Sequence, residues 1–216
     1  MRMTRHVPAR TMFETPAMLD SDDKVEGQGH VLNAAQTALL LVDVINDLEF
    51  PGGEQLLVQA EPMARQIAAL KQRARAAGVP VIYVNESHDR WRASFAKEVA
   101  HCLRNNVRGQ AVVRLLEPDE HDLFVLKLSG SSGLMTNLDT LIDKLRVRTL
   151  ILTGLLSHLS IMLTANDTYL SGFHLFVPGD CVASKTPADN QATLEQIRRG
   201  LGAVVSPSTA LAFYRK

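Results

Sequence analysis

Three polar residues stand where a short apolar run gives way to a loop. Asp43 follows TALLLV, Lys127 follows DLFVL, and Ser160 lies a few residues beyond the ILTG that ends a third run. Their types suit one reaction class. A carboxylate can carry a proton, a nearby ammonium can hold that carboxylate ionised and lower the pKa of a nucleophile, and a hydroxyl in a helix's first turn sits beside unpaired N–H groups. Each also has a plainer reading: Asp43 as a cap, Lys127 as a stem reaching for solvent beside the LSGSSG loop. Against capping, Asp43 is followed by a loop with a Pro51-Gly52-Gly53 turn and no immediate helix start. Asp47 and Glu49 lie on that loop and read as solvated or capping.

The surrounding elements must bring these residues together. Thr149–Thr153 is too brief for a helix and is closed by Gly154, whereas Leu159, Met162, Leu163, Asn166, Tyr169 and Leu170 follow a helical period. Residues 155–160 are therefore a strand-to-helix turn at the carboxyl end of a strand, where ligands of α/β sheets bind. TALLLVD, PVIYVN, DLFVLK, the run leading into VPGDCVAS, and AVVS supply further strands, six in all. The helices between them include one over EPMARQIAALKQRARAAG, with Pro62 near its first turn, Gly78 beyond its end and a solvated basic face (Arg65, Lys71, Arg73, Arg75). Residues 105–122 read as irregular, and a short helix is expected at Pro207. The expected fold is α/β: one domain over residues 37–216, a doubly wound, six-stranded parallel sheet in three α/β/α layers, Rossmann-like. Residues 1–36 are polar and aperiodic and read as an arm, flexible or wrapping a neighbouring subunit.

Lys plus Arg and Asp plus Glu both count 23, so no basic excess points to nucleic acid or a membrane surface. Small molecules and copies of the same chain are the expected partners. Two cysteines, Cys102 and Cys181, make no framework and have no zinc-site spacing. No metal and no cofactor is implied, since Glu86, His88 and Asp89 fit no strong ligand signature. No apolar stretch approaches the roughly 20 residues of a membrane span, and the N-terminal residues lack the apolar core of a secretory signal. A cytoplasmic location is expected. Trp91 and Phe95, four apart, suit a pocket wall or a partner contact.

With these positions placed, the chain resembles the isochorismatase-like hydrolase superfamily, the cysteine hydrolase family, over about residues 37–206. The resemblance rests on ALLLVDVINDLEFPGG with its acid, FVLK with its lysine, ILTG with the turn after it, TANDTYLSGF and VPGDCVAS, in that order. In amidohydrolase members it implies an Asp-Lys-Cys triad in which the acid takes the thiol proton, the lysine stabilises charge, and the thiolate attacks a carbonyl or nitrile-like carbon. It also implies an oxyanion hole at a non-proline cis peptide, here Leu155-Leu156, with donors at the N–H groups of Leu156 and Ser160. Asp43, Lys127 and Ser160 are the catalytic residues it implies; His158, Trp91 and Asn85 are candidates for the substrate pocket. Many relatives are dimers or tetramers, so a homo-oligomer is expected.

The departure lies on the turn itself. Amidohydrolase relatives read like ATDICV where this chain reads LSHLSI, so Ser160 holds the cysteine position and His158 that of an aspartate. A cysteine, with a free pKa near 8.5, is readily ionised; a serine needs an effective base in contact. Cys181 is no substitute, since VPGDCVAS is a stretch relatives also carry and its thiol reads as buried. Three readings stay open. One is C–N hydrolysis of an amide or ureide through Ser160 at low activity. Another is isochorismatase-type vinyl ether hydrolysis with Asp43 as general acid and no covalent nucleophile, favoured by the His of YAHIG-like turns but not by KLSGSSGL, which replaces RYSAF. The third is a silent member that binds a ligand or scaffolds an oligomer, with His158 a cap or core residue.

Overall fold

The computed structural model describes residues 24–26, 29–86, 94–104, 106–127 and 137–215. In chain order the strands are β1 (Lys24–Glu26), β2 (Gly29–Asn33), β3 (Thr37–Val42), β4 (Val81–Glu86), β5 (Leu123–Lys127), β6 (Thr149–Leu155), β7 (His174–Phe176), β8 (Val182–Ala183) and β9 (Leu211–Tyr214). The helices are α1 (Gly53–Ala76), α2 (Phe95–Arg104), α3 (Gln110–Leu115), α4 (Asp139–Leu145), α5 (Met162–Leu170) and α6 (Pro187–Leu201).

Strands β3 and β6 are buried at every position, as strands covered on both faces must be. Their side chains alternate between two cores. Leu39 and Leu41 join Ile67, Leu70 and Tyr83 beneath α1, whereas Leu40 and Val42 join Ile142, Ile161, Ala165 and Ile197 beneath α4, α5 and α6. This is the expected three-layer α/β/α arrangement. The main sheet is parallel throughout and runs β5-β4-β3-β6-β7, with β8 also on β6. Strand order reverses between β3 and β6, the switch point at which α/β sheets leave a crevice beyond the strand ends. Asp43 and the turn after β6 both open onto it.

The sixth strand is not the expected AVVS. Val204 makes a single bridge to Phe176, while β8 takes the outer half of the β6 edge, after β7 has taken the first half. The expected short helix at Pro207 is one 3₁₀ turn, Ser208–Ala210. Residues 110–115, read as irregular, form α3.

The arm boundary also shifts. Residues 1–23 lie outside the described residues, but β2 pairs in parallel with β9, and β1 pairs antiparallel with β2. Leu32 and Ala34 are buried in the core, so the folded body reaches back before Thr37. The cue was hidden because β2's partner lies about 180 residues away in sequence.

Helix α1 begins at Gly53, after Gly52 in a left-handed conformation, so Pro62 is interior rather than near the first turn. Proline there lacks the N–H for one i→i−4 bond, and 24 residues of helix tolerate the loss. The face read as solvated is mostly a connector. Lys71 is 5% exposed; its ammonium donates to the Tyr83 hydroxyl and the Glu117 carbonyl and lies 2.9 Å from Asp122 Oδ2. Arg73 donates to the carbonyls of Leu211 and Ser208, and Arg75 pairs with Asp119 and Asp122. Of the four, Arg65 fits the solvated reading.

Glycine is required at the end of β6. Gly154 has φ +118, and a Cβ there would sit 2.0 Å from the Val42 carbonyl oxygen on β3. The two strands carrying the catalytic candidates touch through this contact. Gly154→Ala is expected to cost at least about 1–3 kcal/mol from backbone strain alone, and a melting temperature lower by about 5 °C or more in thermal denaturation. An unchanged melting temperature would show that the strand pair relaxes around the methyl group.

Candidate active site

Asp43 is the first residue beyond β3. Its backbone is left-handed, φ 52, a conformation that aspartate tolerates better than most residues and that recurs at functional positions. The turn is fixed on both sides: its N–H donates to the Val84 carbonyl, and its Oδ1 accepts the Glu86 N–H at 2.9 Å. Its Oδ2 lies 3.0 Å from Lys127 Nζ.

Lys127 is 1% exposed. It does not snorkel, because its ammonium rests between two carboxylates, Asp43 and, at 3.3 Å, Glu86. Parallel pairing makes this arrangement: Glu86 and Lys127 are register partners at the ends of β4 and β5. A buried ammonium is tolerable only when so paired.

Ser160 is buried on the turn between β6 and α5 and lines the same cavity as Asp43. The Leu155-Leu156 peptide is cis, as the resemblance implies. Beyond it the chain makes one wide turn, with the N–H groups of Leu159 and Ile161 both donating to the Leu156 carbonyl. Such widened turns are frequent at functional sites.

Burial in this setting pushes the Asp43 carboxyl above its usual range. The Lys127 charge and the hydrogen bonds from Ser160 and Lys127 pull the other way, and Glu86 adds to the rise. A raised pKa lets Asp43 take up a proton more readily than an exposed aspartate does. That is the property a general base, or a general acid, requires.

A cavity of about 190 Å³ opens beside the pair, lined by Asp43, Asn46, Asn85, Glu86, Leu156 and Ser160 together with apolar side chains. Those walls come from Leu48, Phe50, Leu56, Leu155 and Leu159. The two residues named for the oxyanion hole, Leu156 and Ser160, are therefore both at the cavity. Asn85 lines it too, but its amide is committed to backbone: Oδ1 accepts the Ile45 N–H and Nδ2 donates to the Ile45 carbonyl at 2.7 Å. Asn85 pins the 43–50 loop as well as walling the pocket.

His158 is not among the lining residues. Its ring turns to Ser184, Nδ1 to Oγ 2.8 Å, and Ser184 in turn contacts the Ser157 hydroxyl. This ties the turn to the chain after β8. Trp91 lies outside the described residues. Phe95 stacks on Phe124 and lines a separate groove. Glu86 is the residue that sequence reasoning passed over. Read only as a weak metal candidate, it could have been found from its place one residue past Asn85, at the level of Lys127. Among the described residues no group of three or more His, Cys, Asp or Glu is placed to hold a metal. Both thiols are buried, and burial pushes Cys102 up to about 12 and Cys181 higher still, so neither competes as a nucleophile.

Comparison with known proteins places the chain by family and by fold. The chain is 33% identical over 175 residues to the uncharacterized isochorismatase family protein YaaI of Bacillus subtilis (strain 168), which spans 81% of this chain and 96% of the relative. A crystal structure of a cysteine hydrolase from Pseudomonas syringae pv. phaseolicola 1448A superposes with a TM-score of 0.66 at 23% identity, covering 82% and 91% of the two chains. N-carbamoylsarcosine amidase from Thermoplasma acidophilum gives 0.61 at 24%, covering 80% and 96%. At those identities the two structures bear on fold alone. Residues 37–209 match the model of the isochorismatase domain, and with the fold and the relatives in agreement, this chain belongs to the isochorismatase family.

Proposed function

We propose that the protein hydrolyses the C–N bond of a small amide or ureide, with Ser160 as nucleophile, Asp43 as proton carrier and Lys127 as the charge that holds Asp43 in place. One observation carries this reading: Ser160 and Asp43 are both buried and line one cavity, where the serine hydroxyl lies near enough to act on a carboxylate whose pKa burial raises. Serine's weak acidity was the objection to it as a nucleophile, and a base in contact with a higher pKa answers that objection.

In this scheme the Ser160 oxygen attacks the carbonyl carbon as its proton passes to Asp43. The oxyanion forms beside the N–H groups of Leu156 and Ser160. Collapse breaks the C–N bond, and Asp43 returns the proton to the leaving nitrogen. Water then attacks the acyl ester as its proton passes to Asp43; collapse breaks the ester C–O bond, and Asp43 returns the proton to the Ser160 oxygen. Lys127 keeps its two carboxylate partners throughout and moves no proton.

Assay against a panel of small amides, ureides and isochorismate tests the scheme. Amide or ureide turnover is expected, falling about 10²–10⁴-fold in Asp43→Asn and to background in Ser160→Ala. Ser160→Cys is expected to keep or raise turnover and to accumulate a thioester visible by intact-protein mass spectrometry. Full activity in Ser160→Ala would sink the covalent scheme, and isochorismate turnover lost only in Asp43→Asn would move Asp43 to the role of general acid.

The pH profile gives an independent check. Asp43 must be ionised to accept the proton, and its pKa is raised, so kcat/KM falls as pH drops through a value above the ordinary aspartate pKa of about 3.9. The loss begins at higher pH than for an exposed carboxylate. An acid limb at or below that ordinary value would contradict the burial argument.

A further inference from the structure

The turn that carries Ser160 is held from outside at its first residues. Ser157 and His158 follow one another beyond β6, and both side chains meet a single atom, the Ser184 hydroxyl oxygen. Ser184 is the residue after β8, and the parallel register pairs Leu155 with Ala183, so Ser184 stands level with Leu156 at the entry of the turn. Its own segment is firmly placed. Asp180 takes the Ser208 N–H and hydroxyl on its two carboxylate oxygens, the Gly179 N–H donates to the Ser206 carbonyl, and the Asn190 amide donates to the Val182 carbonyl. Downstream, the Thr164 hydroxyl donates to the Ser160 carbonyl from α5. Ser160 therefore lies between two anchors, and the upstream one is Ser184.

Counting hydrogens gives this bridge a direction. A hydroxyl has one hydrogen to donate, so Ser184 donates to one neighbour and accepts from the other. Ser157 and Ser184 are both fully buried, and among the described residues Ser184 is the partner of the Ser157 hydroxyl. If Nδ1 of His158 carried the ring proton and donated to Ser184, then Ser184 would donate to Ser157, whose own hydrogen would be buried with no acceptor among the described residues. Such a group is costly. In the opposite direction Ser157 donates to Ser184, Ser184 donates to a bare Nδ1, and every hydrogen is used. The ring proton then sits on Nε2 of a side chain that is itself exposed to water.

We infer that His158 and Ser184 are positioning residues for Ser160, joined in a directed chain in which Ser157 donates to Ser184 and Ser184 donates to the bare Nδ1 of His158. The positioning role rests on the hydrolase reading, in which Ser160 attacks; the chain itself stands on geometry. Neither side chain is among those lining the cavity, so both act on the reaction through the place they give the turn. That place matters, because a shift of about 1 Å in a reacting group can cost about a hundredfold in rate.

The nitrogen chemical shifts of the His158 ring, measured by NMR on the unmodified protein at about pH 8, report the tautomer, and the form with its proton on Nε2 is expected. Hydrogen exchange read by mass spectrometry on peptides spanning residues 155–161 is expected to quicken about tenfold in His158→Leu and in Ser184→Ala. It should return toward the parent rate in His158→Asn, whose Oδ1 offers an acceptor in place of Nδ1. On an amide that the protein turns over, His158→Leu and Ser184→Ala should lose about tenfold or more in kcat with KM within about threefold, and His158→Asn should recover most of the loss. Circular dichroism of each variant confirms folding. A proton on Nδ1, unchanged exchange in a folded His158→Leu, or a His158→Asn variant as impaired as His158→Leu would overturn the inference, as would a loss confined to KM. Absence of turnover on every amide, with tautomer and exchange as expected, would instead remove the hydrolase reading and leave the chain standing.

Discussion

The buried ammonium of Lys127 is the constraint around which the site is built. A lysine 1% exposed costs several kcal/mol unless carboxylates meet it at hydrogen-bond distance, and here two do, from the ends of the two strands beside or next to its own. Asp43 closes β3, Glu86 closes β4 and Lys127 closes β5. The parallel register levels these three ends, so the pairing and the sheet specify one another. The same solution keeps the Asp43 carboxyl, its pKa raised by burial, in a place poor in water. That is where Ser160 puts its hydroxyl.

The second part of the site depends on close backbone approach. Gly154 lets β6 lie against β3 with a Cα hydrogen where any side chain would strike the Val42 carbonyl. The 43–50 loop is tied down from several directions: Asn85 holds Ile45, the Gly109 N–H donates to the Asp47 carbonyl, and Arg108 meets Glu49 and Glu54. Two glycines at this loop, Gly53 and Gly109, sit where a Cβ would fall 2.0 Å from the carbonyl oxygens of Leu48 and Asn46. The cavity walls therefore move little without breaking backbone contacts, which is the preorganisation that a small reactive site needs.

Serine on this turn changes the demands on its neighbours rather than the architecture. A thiol is easily ionised by a nearby cation and a helix N-terminus, while a hydroxyl must give up its proton as it attacks. Burial of Asp43 strengthens the base by the amount that Lys127 does not take back. His158 stands apart from this exchange. Its ring holds Ser184, and through it Ser157, so its contribution runs through the shape of the turn.

Much of this was legible in the chain itself. Apolar runs too short for helices, alternating with helical periods, determine a parallel α/β sheet, and polar residues at strand ends mark Asp43, Lys127 and Ser160, because local pattern reports which side chains must be buried. What local pattern does not hold is pairing between distant segments. The joining of β2 to β9, the replacement of AVVS by β8 as sixth strand, the conversion of α1's basic face into a connector for Tyr83, Asp122 and Leu211, and the presence of Glu86 beside Lys127 all depend on residues brought close by the fold. Charge pairing is likewise a property of three dimensions. The chain as a whole is balanced at 23 of each sign, yet its candidate site gathers two acids around one buried base, because strand register rather than composition decides which charges become neighbours.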